Sequence, residues 1–490
     1  MSYKSAIEKL KLIPQSQKKY NIFCYINNDA TKSLKHNSSL SHLKYKPLQN
    51  VICGIKDNIV TKDMPTTCAS EILSGYVSPF DATCVKLLRD QGVTISGKTN
   101  LDEFGMGSGG VHSKIGPTLN PLYDDIPTIV GGSSSGSAAA VAANIVDFSL
   151  GTDTGGSVRL PAAYTSILGF KPSYGRISRH GVIAYAQSFD TVGILSKDIQ
   201  MIKKIFNILD KHDFKDPTSL DDDNRQKLID LKLHNSEMQS HTYRIGLPIE
   251  FINKATPNNV SELFNGFVER LLSMGHELVP LSIPSIKYSL PIYYTLVPSE
   301  AASNLSRYDG IRFGTRDKDT DIEGNTLFAS TRNKFGTSVK ERVILGNYNL
   351  CSDSYKNNYI KAQKMRVQLI DEFDSIFKLP NILTQNAKNL QYKTHAVDFI
   401  IGLTSAKFPE PIHKFNKNII NTNEESNDDE AALFANEFMN DIYTIPMSLS
   451  GLPTISIPTK DGAPVGVQVV GQYGDDERLL TFTESILTES

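Results

Sequence analysis

No apolar run in the chain approaches the roughly 20 residues that a membrane-crossing helix needs. The five cysteines, Cys24, Cys53, Cys68, Cys84 and Cys351, are odd in number, scattered and never spaced C-x-x-C. That pattern argues against a disulfide framework and a structural zinc site, and for a reducing compartment. The ten histidines include no H-E-x-x-H pair, so a zinc-hydrolase helix is excluded and no metal is expected. Excess charge is missing too: 51 Lys and Arg against 53 Asp and Glu leave a net charge of −2. Nucleic acid and anionic membranes therefore have no general electrostatic claim on the surface.

What is present is the composition of a folded enzyme-sized protein. Of 490 residues, 40% are apolar and 21% charged, enough for two or three domains or one large α/β layer structure. Residues 1–20 carry Lys4, Lys9, Lys11, Lys18 and Lys19 against Glu8. Ile7 and Leu10 suit a short helical face that Pro14 is expected to stop. This reads as a basic surface helix or a targeting segment, although transit peptides favour arginine and the first here is Arg89. From Val51 the text turns to strands and helices: a strand at 51–60, a helix at 82–91, a strand at 93–95. A polar excursion is expected at 211–241 and an acidic, mobile one within 415–431. Between them a strand starts at Tyr243, a helix spans 260–274, and one long helix is expected from Lys340 to Phe377. Strands PTISIP and VGVQVV and a helix from about Asp476 close the chain. This alternation predicts an α/β layered fold.

Gly92-Val-Thr-Ile-Ser-Gly97-Lys98-Thr99 satisfies the phosphate-loop pattern letter for letter. A phosphate loop needs those middle residues as a loop after a strand, whereas here they form the strand itself. An ATP site is not expected there. The informative stretch is Val130–Leu160, where Gly131-Gly132-Ser133 and Gly155-Gly156-Ser157 flank an alanine-rich segment. It reads as turn, helix, strand, turn, with Ser134, Ser135 and Ser137 available to cap the helix. A serine hydroxyl needs a base to become a nucleophile, and neither turn contains a histidine. A lysine serves if burial keeps its amine uncharged, and Lys56 stands near the middle of the strand at 51–60. A second serine can relay the proton, and the N–H groups of Thr154, Gly155, Gly156 and Ser157 can hold an oxyanion.

With that chemistry stated, four blocks carry a resemblance: GIKDNIVTKDMPTTCAS at 54–70, GKTNLDEFGMGS at 97–108, GGSSSGSAAAVAA at 131–143 and GTDTGGSVRLPAAY at 151–164. Together they resemble the amidase signature family. The resemblance places Lys56 on the catalytic lysine, Ser133 on a serine after a cis peptide, and Ser157 on the nucleophile, with the family's own spacing of 24 positions between the serines. It implies an α/β/α layered fold with a many-stranded mixed sheet, from residue 48 to 490, behind an N-terminal segment at 1–47. Within the family, the blocks at 293–314, 339–350 and 440–458 resemble the A subunits of glutamyl-tRNA(Gln) amidotransferases. That branch implies glutamine recognition by Tyr293, Arg342 and Asp441, with Arg342 forking onto the α-carboxylate and Asp441 pairing with the α-ammonium. It also implies no cofactor in this chain, ATP and Mg²⁺ in a partner B subunit, and tRNA held mainly by partners.

Three departures stand out. Ser135 replaces a glycine of the usual GGSSGGS. Leu403-Thr404 stands for an expected Pro-Thr, after an insertion around 383–396. MGSGGVHS at 106–113 resembles fungal mitochondrial members rather than bacterial ones, which implies mitochondria and a small third partner in the complex. The competing readings are a hydrolase elbow, G-x-S-x-G at 132–136 with Ser134 as nucleophile, a non-catalytic scaffold, and a stand-alone amidase for another small amide.

Overall fold

The computed structural model describes residues 2–39, 46–235, 242–253, 256–316, 329–384, 396–415, 440–459 and 462–488. Strands β1 (Phe23–Ile26), β2 (Ile52–Lys56), β3 (Thr94–Thr99), β4 (Phe148–Asp153), β5 (Leu168–Lys171) and β6 (Thr191–Ser196) form one half of a sheet. The other half comprises β7 (Arg244–Pro248), β8 (Glu277–Leu281), β9 (Phe399–Leu403), β10 (Thr454–Pro458) and β11 (Gly466–Val470). The spatial order is β1-β3-β2-β4-β6-β5-β10-β11-β9-β7-β8. Pairing is parallel for β3-β2-β4 and for β9-β7-β8, and antiparallel between. This is the expected mixed, many-stranded sheet.

β2, β3, β4 and β6 are buried at every position, as strands covered on both faces must be. On one face Ile55, Leu150 and Ile194 pack with Val85, Leu88, Ile205 and Leu480 from three helices. On the other, the helix Ser135–Ala142 lies so close that a methyl on Gly136 would come 2.4 Å from the backbone nitrogen of Asn100. Only a run of small residues permits that approach. The helix Tyr3–Tyr20 closes this face with Ala6, Leu10 and Ile13.

Several expectations need correction. The N-terminal segment contributes a strand as well as a helix, since β1 pairs antiparallel with β3 at the sheet edge. The first helix runs through Pro14 to Tyr20; its apolar contacts outweigh the hydrogen bond that Pro14 cannot make to Leu10. The excursion at 211–241 contains a helix, Asp222–Asn235, anchored by the buried Leu228. The long helix expected from Lys340 is three: Thr337–Leu350, Ser352–Tyr355 and Tyr359–Ile376. Most of the insertion around 383–396 and nearly all of the acidic stretch at 415–431 lie outside the described residues.

Candidate active site

Lys56 ends β2, and Thr152 lies near the end of the adjacent parallel strand β4. Ligand sites of open α/β sheets gather at such carboxyl ends. The fully buried Lys56 Nζ stands 2.7 Å from Ser133 Oγ, 2.9 Å from Thr152 Oγ1 and 3.3 Å from the Thr152 carbonyl oxygen. Asn58 Nδ2 donates to the same Thr152 hydroxyl oxygen at 3.0 Å. Burial pushes the Lys56 ammonium down to about 7, although the carboxylates of Asp102, Asp153 and Asp190 pull the other way. An uncharged amine has two N–H groups and one lone pair. Ser133 Oγ is the nearest of the three oxygens around the amine, within the reach that proton transfer to an uncharged Lys56 requires.

The peptide bond Gly132–Ser133 is cis. The Ser134 N–H donates to the Ser157 carbonyl oxygen at 3.1 Å, which joins the two serine turns directly. Ser157 opens into a narrow cleft lined also by Gly155, Gly156, Tyr185, Tyr293, Tyr294, Arg342 and Asp441. The cleft therefore holds every glutamine-recognising residue expected from the sequence. A larger cleft of about 780 Å³ lies elsewhere, lined by the helix Asn258–Ser273 and Phe408, and none of the predicted site residues lines it.

The loop Thr154–Ser157 is held from beneath. Arg159 and Asp153, both fully buried, pair at 2.9 and 3.0 Å, and the Val158 N–H adds a third bond to Asp153 at 3.1 Å. Burial opposes ionisation of Asp153, yet Arg159 holds its carboxyl below the ordinary value. Thr154 Oγ1 donates to Asp190 at 2.8 Å, and Asp190 also accepts from the Tyr185 and Ala186 N–H groups. Both glycines are sterically required. A methyl on Gly155 would meet the Tyr293 hydroxyl at 2.5 Å, and Gly156 has φ +141°. Among the described residues, none accepts a hydrogen bond from the Thr154, Gly155 or Gly156 N–H groups. These are free to serve an oxyanion.

Arg342, on the helix Thr337–Leu350, donates to Ser338 and shares a hydrogen bond with Tyr185. Asp441, at the start of the helix Asp441–Leu449, accepts from the Tyr294 hydroxyl at 2.5 Å. Each of these two charged groups in the cleft thus contacts a tyrosine. Reasoning from sequence missed Thr152, Tyr185, Tyr294 and Asp190. Tyr294 adjoins Tyr293 and Thr152 lies inside a quoted block, but nothing in residue type separates them from core residues.

Two other readings fall. Ser134 is fully buried and its hydroxyl donates to the Thr152 carbonyl at 3.2 Å, so it is no nucleophile elbow. Nor do the serines cap the helix: Ser135 Oγ bonds Thr118 and Ser137 Oγ bonds Leu150, because the buried helix start faces side chains and strand carbonyls. Lys98 is turned into the core, 3.2 Å from Asp57 and 2.6 Å from Thr66, as a strand residue rather than a phosphate ligand.

A buried lysine whose amine burial pushes toward neutrality, a serine in hydrogen-bond contact with it, and a second serine beside unpaired N–H groups are groups that acyl transfer from an amide can use. The family model for Amidase matches residues 7–480, and the chain belongs to that family. The chain is 50% identical over 486 residues to the A subunit of the mitochondrial glutamyl-tRNA(Gln) amidotransferase of Eremothecium gossypii, covering 99% of each. It is 50% identical over 432 residues to the protein of the same description from Yarrowia lipolytica, covering 88% of this chain and 90% of that one. Among solved structures, the A subunit of the Thermotoga maritima glutamyl-tRNA(Gln) amidotransferase superposes with a TM-score of 0.71 at 29% identity, covering 98% of this chain and 91% of that one.

Proposed function

We propose that the chain is the glutaminase component of a mitochondrial glutamyl-tRNA(Gln) amidotransferase. The observation that carries this reading is the meeting of Arg342 and Asp441 in the cleft of Ser157. A free amino acid presents one carboxylate and one ammonium, and an amidase for uncharged amides has no use for that pair.

In this reading Ser157 Oγ attacks the side-chain carbonyl carbon of glutamine. Its proton passes to Ser133 Oγ as the Ser133 proton passes to Lys56 Nζ. The oxyanion forms against the Thr154–Gly156 N–H groups, each well-placed donor contributing roughly 3–4 kcal/mol. On collapse the proton returns through Ser133 to the leaving nitrogen, and ammonia departs. Water then cleaves the γ-glutamyl ester by the same relay, releasing glutamate. The ammonia serves a partner B subunit that uses ATP and Mg²⁺ to convert Glu-tRNA(Gln) to Gln-tRNA(Gln), with a third small subunit bracing the pair. A net charge of −2 suits a chain that leaves most tRNA contact to its partners.

Capture of the chain from its native cell is expected to retain an ATP-using, tRNA-binding companion. Recovery of the chain alone, active on other amides, would favour a stand-alone amidase. For substrate recognition, Arg342→Ala is expected to raise KM for glutamine roughly 10–100-fold, the loss of a charge-assisted hydrogen bond. Attack on a simple ester lacking both charges should change little. Equal effects on the two substrates would refute the role.

A further inference from the structure

A loop with two adjacent glycines has the freedom to turn its N–H groups away from an oxyanion, and something must hold them. Thr444 is the fully buried residue that touches this loop from the helix Asp441–Leu449. Its hydroxyl donates to the Gly155 carbonyl oxygen at 2.5 Å. The Gly155–Gly156 peptide is trans. In a trans peptide the C=O and N–H point to opposite sides. With the Gly155 carbonyl held toward Thr444, the Gly156 N–H points away from that helix, and no described residue accepts from it. A methyl on Gly156 would lie 2.5 Å from Thr444 Oγ1, so the side chain leaves the loop no room on its side. Thr444 is itself fixed, since Arg159 Nη1 donates to its carbonyl oxygen at 2.9 Å while the rest of that guanidinium grips Asp153.

We propose that Thr444 is a positioning residue: its hydroxyl locks the Gly155–Gly156 peptide with the N–H toward the oxyanion. It lies one turn from Asp441 on the same helix, which ties the oxyanion site to the element that receives the substrate's ammonium group. The inference rests on the reading of Ser157 as nucleophile and of this loop as the oxyanion site.

The test uses the assembled complex. Thr444→Val keeps the branched shape and loses the O–H. It is expected to lower kcat for glutamine hydrolysis roughly 10–100-fold and to move KM by less than about threefold. Thr444→Ser keeps the O–H and is expected to restore kcat to within about threefold of the parent. A glutamine analogue with an aldehyde in place of the side-chain amide adds to Ser157 as a tetrahedral adduct. Its affinity for the Val variant should fall by the same factor as kcat. Ammonia-dependent amidation should be unchanged in both variants. Equal losses for Val and Ser, a loss confined to KM, or a parallel loss of ammonia-dependent amidation would each overturn the proposal, since each marks packing or assembly rather than the hydroxyl. Ser157→Ala separates this inference from the reading beneath it. If that variant still hydrolyses glutamine, the nucleophile is misassigned. If it is inactive while Thr444→Val keeps full kcat, the nucleophile stands and only the role of Thr444 is lost.

Discussion

Ser157→Ala is expected to cut glutamine-dependent amidation by roughly 10⁴–10⁶-fold, the cost of removing a nucleophile that acts as one unit with its base. Ammonia-dependent amidation by the assembled complex should continue at the parent rate, because ammonia supplied from solution bypasses the step that Ser157 performs. The substitution is structurally mild. Ser157 is held through its backbone, with its carbonyl oxygen accepting the Ser134 N–H at 3.1 Å, and alanine retains that bond. Neither does it add volume beside Tyr293 or Leu160. Assay of the two nitrogen sources on one preparation decides the matter. Loss of both activities would mean damage to assembly and would remove the support for this role.

The second large effect belongs to Lys56. The proposed mechanism requires an uncharged Lys56 amine, and burial brings its pKa to about 7. Glutamine turnover, as kcat/KM, is expected to fall about tenfold per pH unit below that value and to level off above it. Lys56→Met, of similar length and without a basic nitrogen, is expected to cost roughly 10³–10⁴-fold and to erase that limb. A surviving limb near pH 7 would assign it to another group. Stability also depends on this group. The unfolded lysine titrates near 10.5, so between about 7 and 10.5 the unfolded chain binds the extra proton and the parent gains stability as pH rises. Below about 7 the full penalty of burying a charged amine is present. The Met variant should therefore be stabilised most at low pH, with the advantage fading toward 10.5. Denaturant unfolding at about pH 6 and about pH 9 measures it.

Glutamine chemistry also explains the cluster of tyrosines. Tyr293 and Tyr294 are pushed far above the ordinary tyrosine value, by burial first and then by neighbouring charge. They remain neutral hydroxyl donors at any physiological pH. Asp441 thus keeps a permanent hydroxyl donor in Tyr294.

Legibility from sequence follows the range of the interactions involved. The strand at β2, the alanine-rich helix and the two glycine-serine turns are local features, set by β-branched runs, helix propensity and the freedom of glycine. Lys56, Ser133 and Ser157 are singled out by the match of four sequence blocks to a family, since a lysine near a strand end or a serine in a glycine turn is ordinary by itself. Propensity misjudges Pro14 and the breaks after Leu350, because packing decides them. The serines at 134, 135 and 137 mislead for a related reason. A capping role is the local expectation, and only burial against Thr118 and the strand carbonyls of Leu150 and Thr152 redirects the hydroxyls.

By itself, then, the sequence singled out the groups that the structure brings near one another: one lysine, two serines and a run of peptide N–H groups, with an arginine and an aspartate of opposite charge lining the same cleft. Tertiary structure alone decided how those groups act. The pKa of Lys56 follows from desolvation by residues far along the chain. Its amine is held by Thr152 on a neighbouring strand, 96 positions away. The oxyanion loop is steadied by a hydroxyl 289 positions distant. Electrostatics and hydrogen bonding at a few ångströms depend on what folding brings together, and no local pattern encodes that.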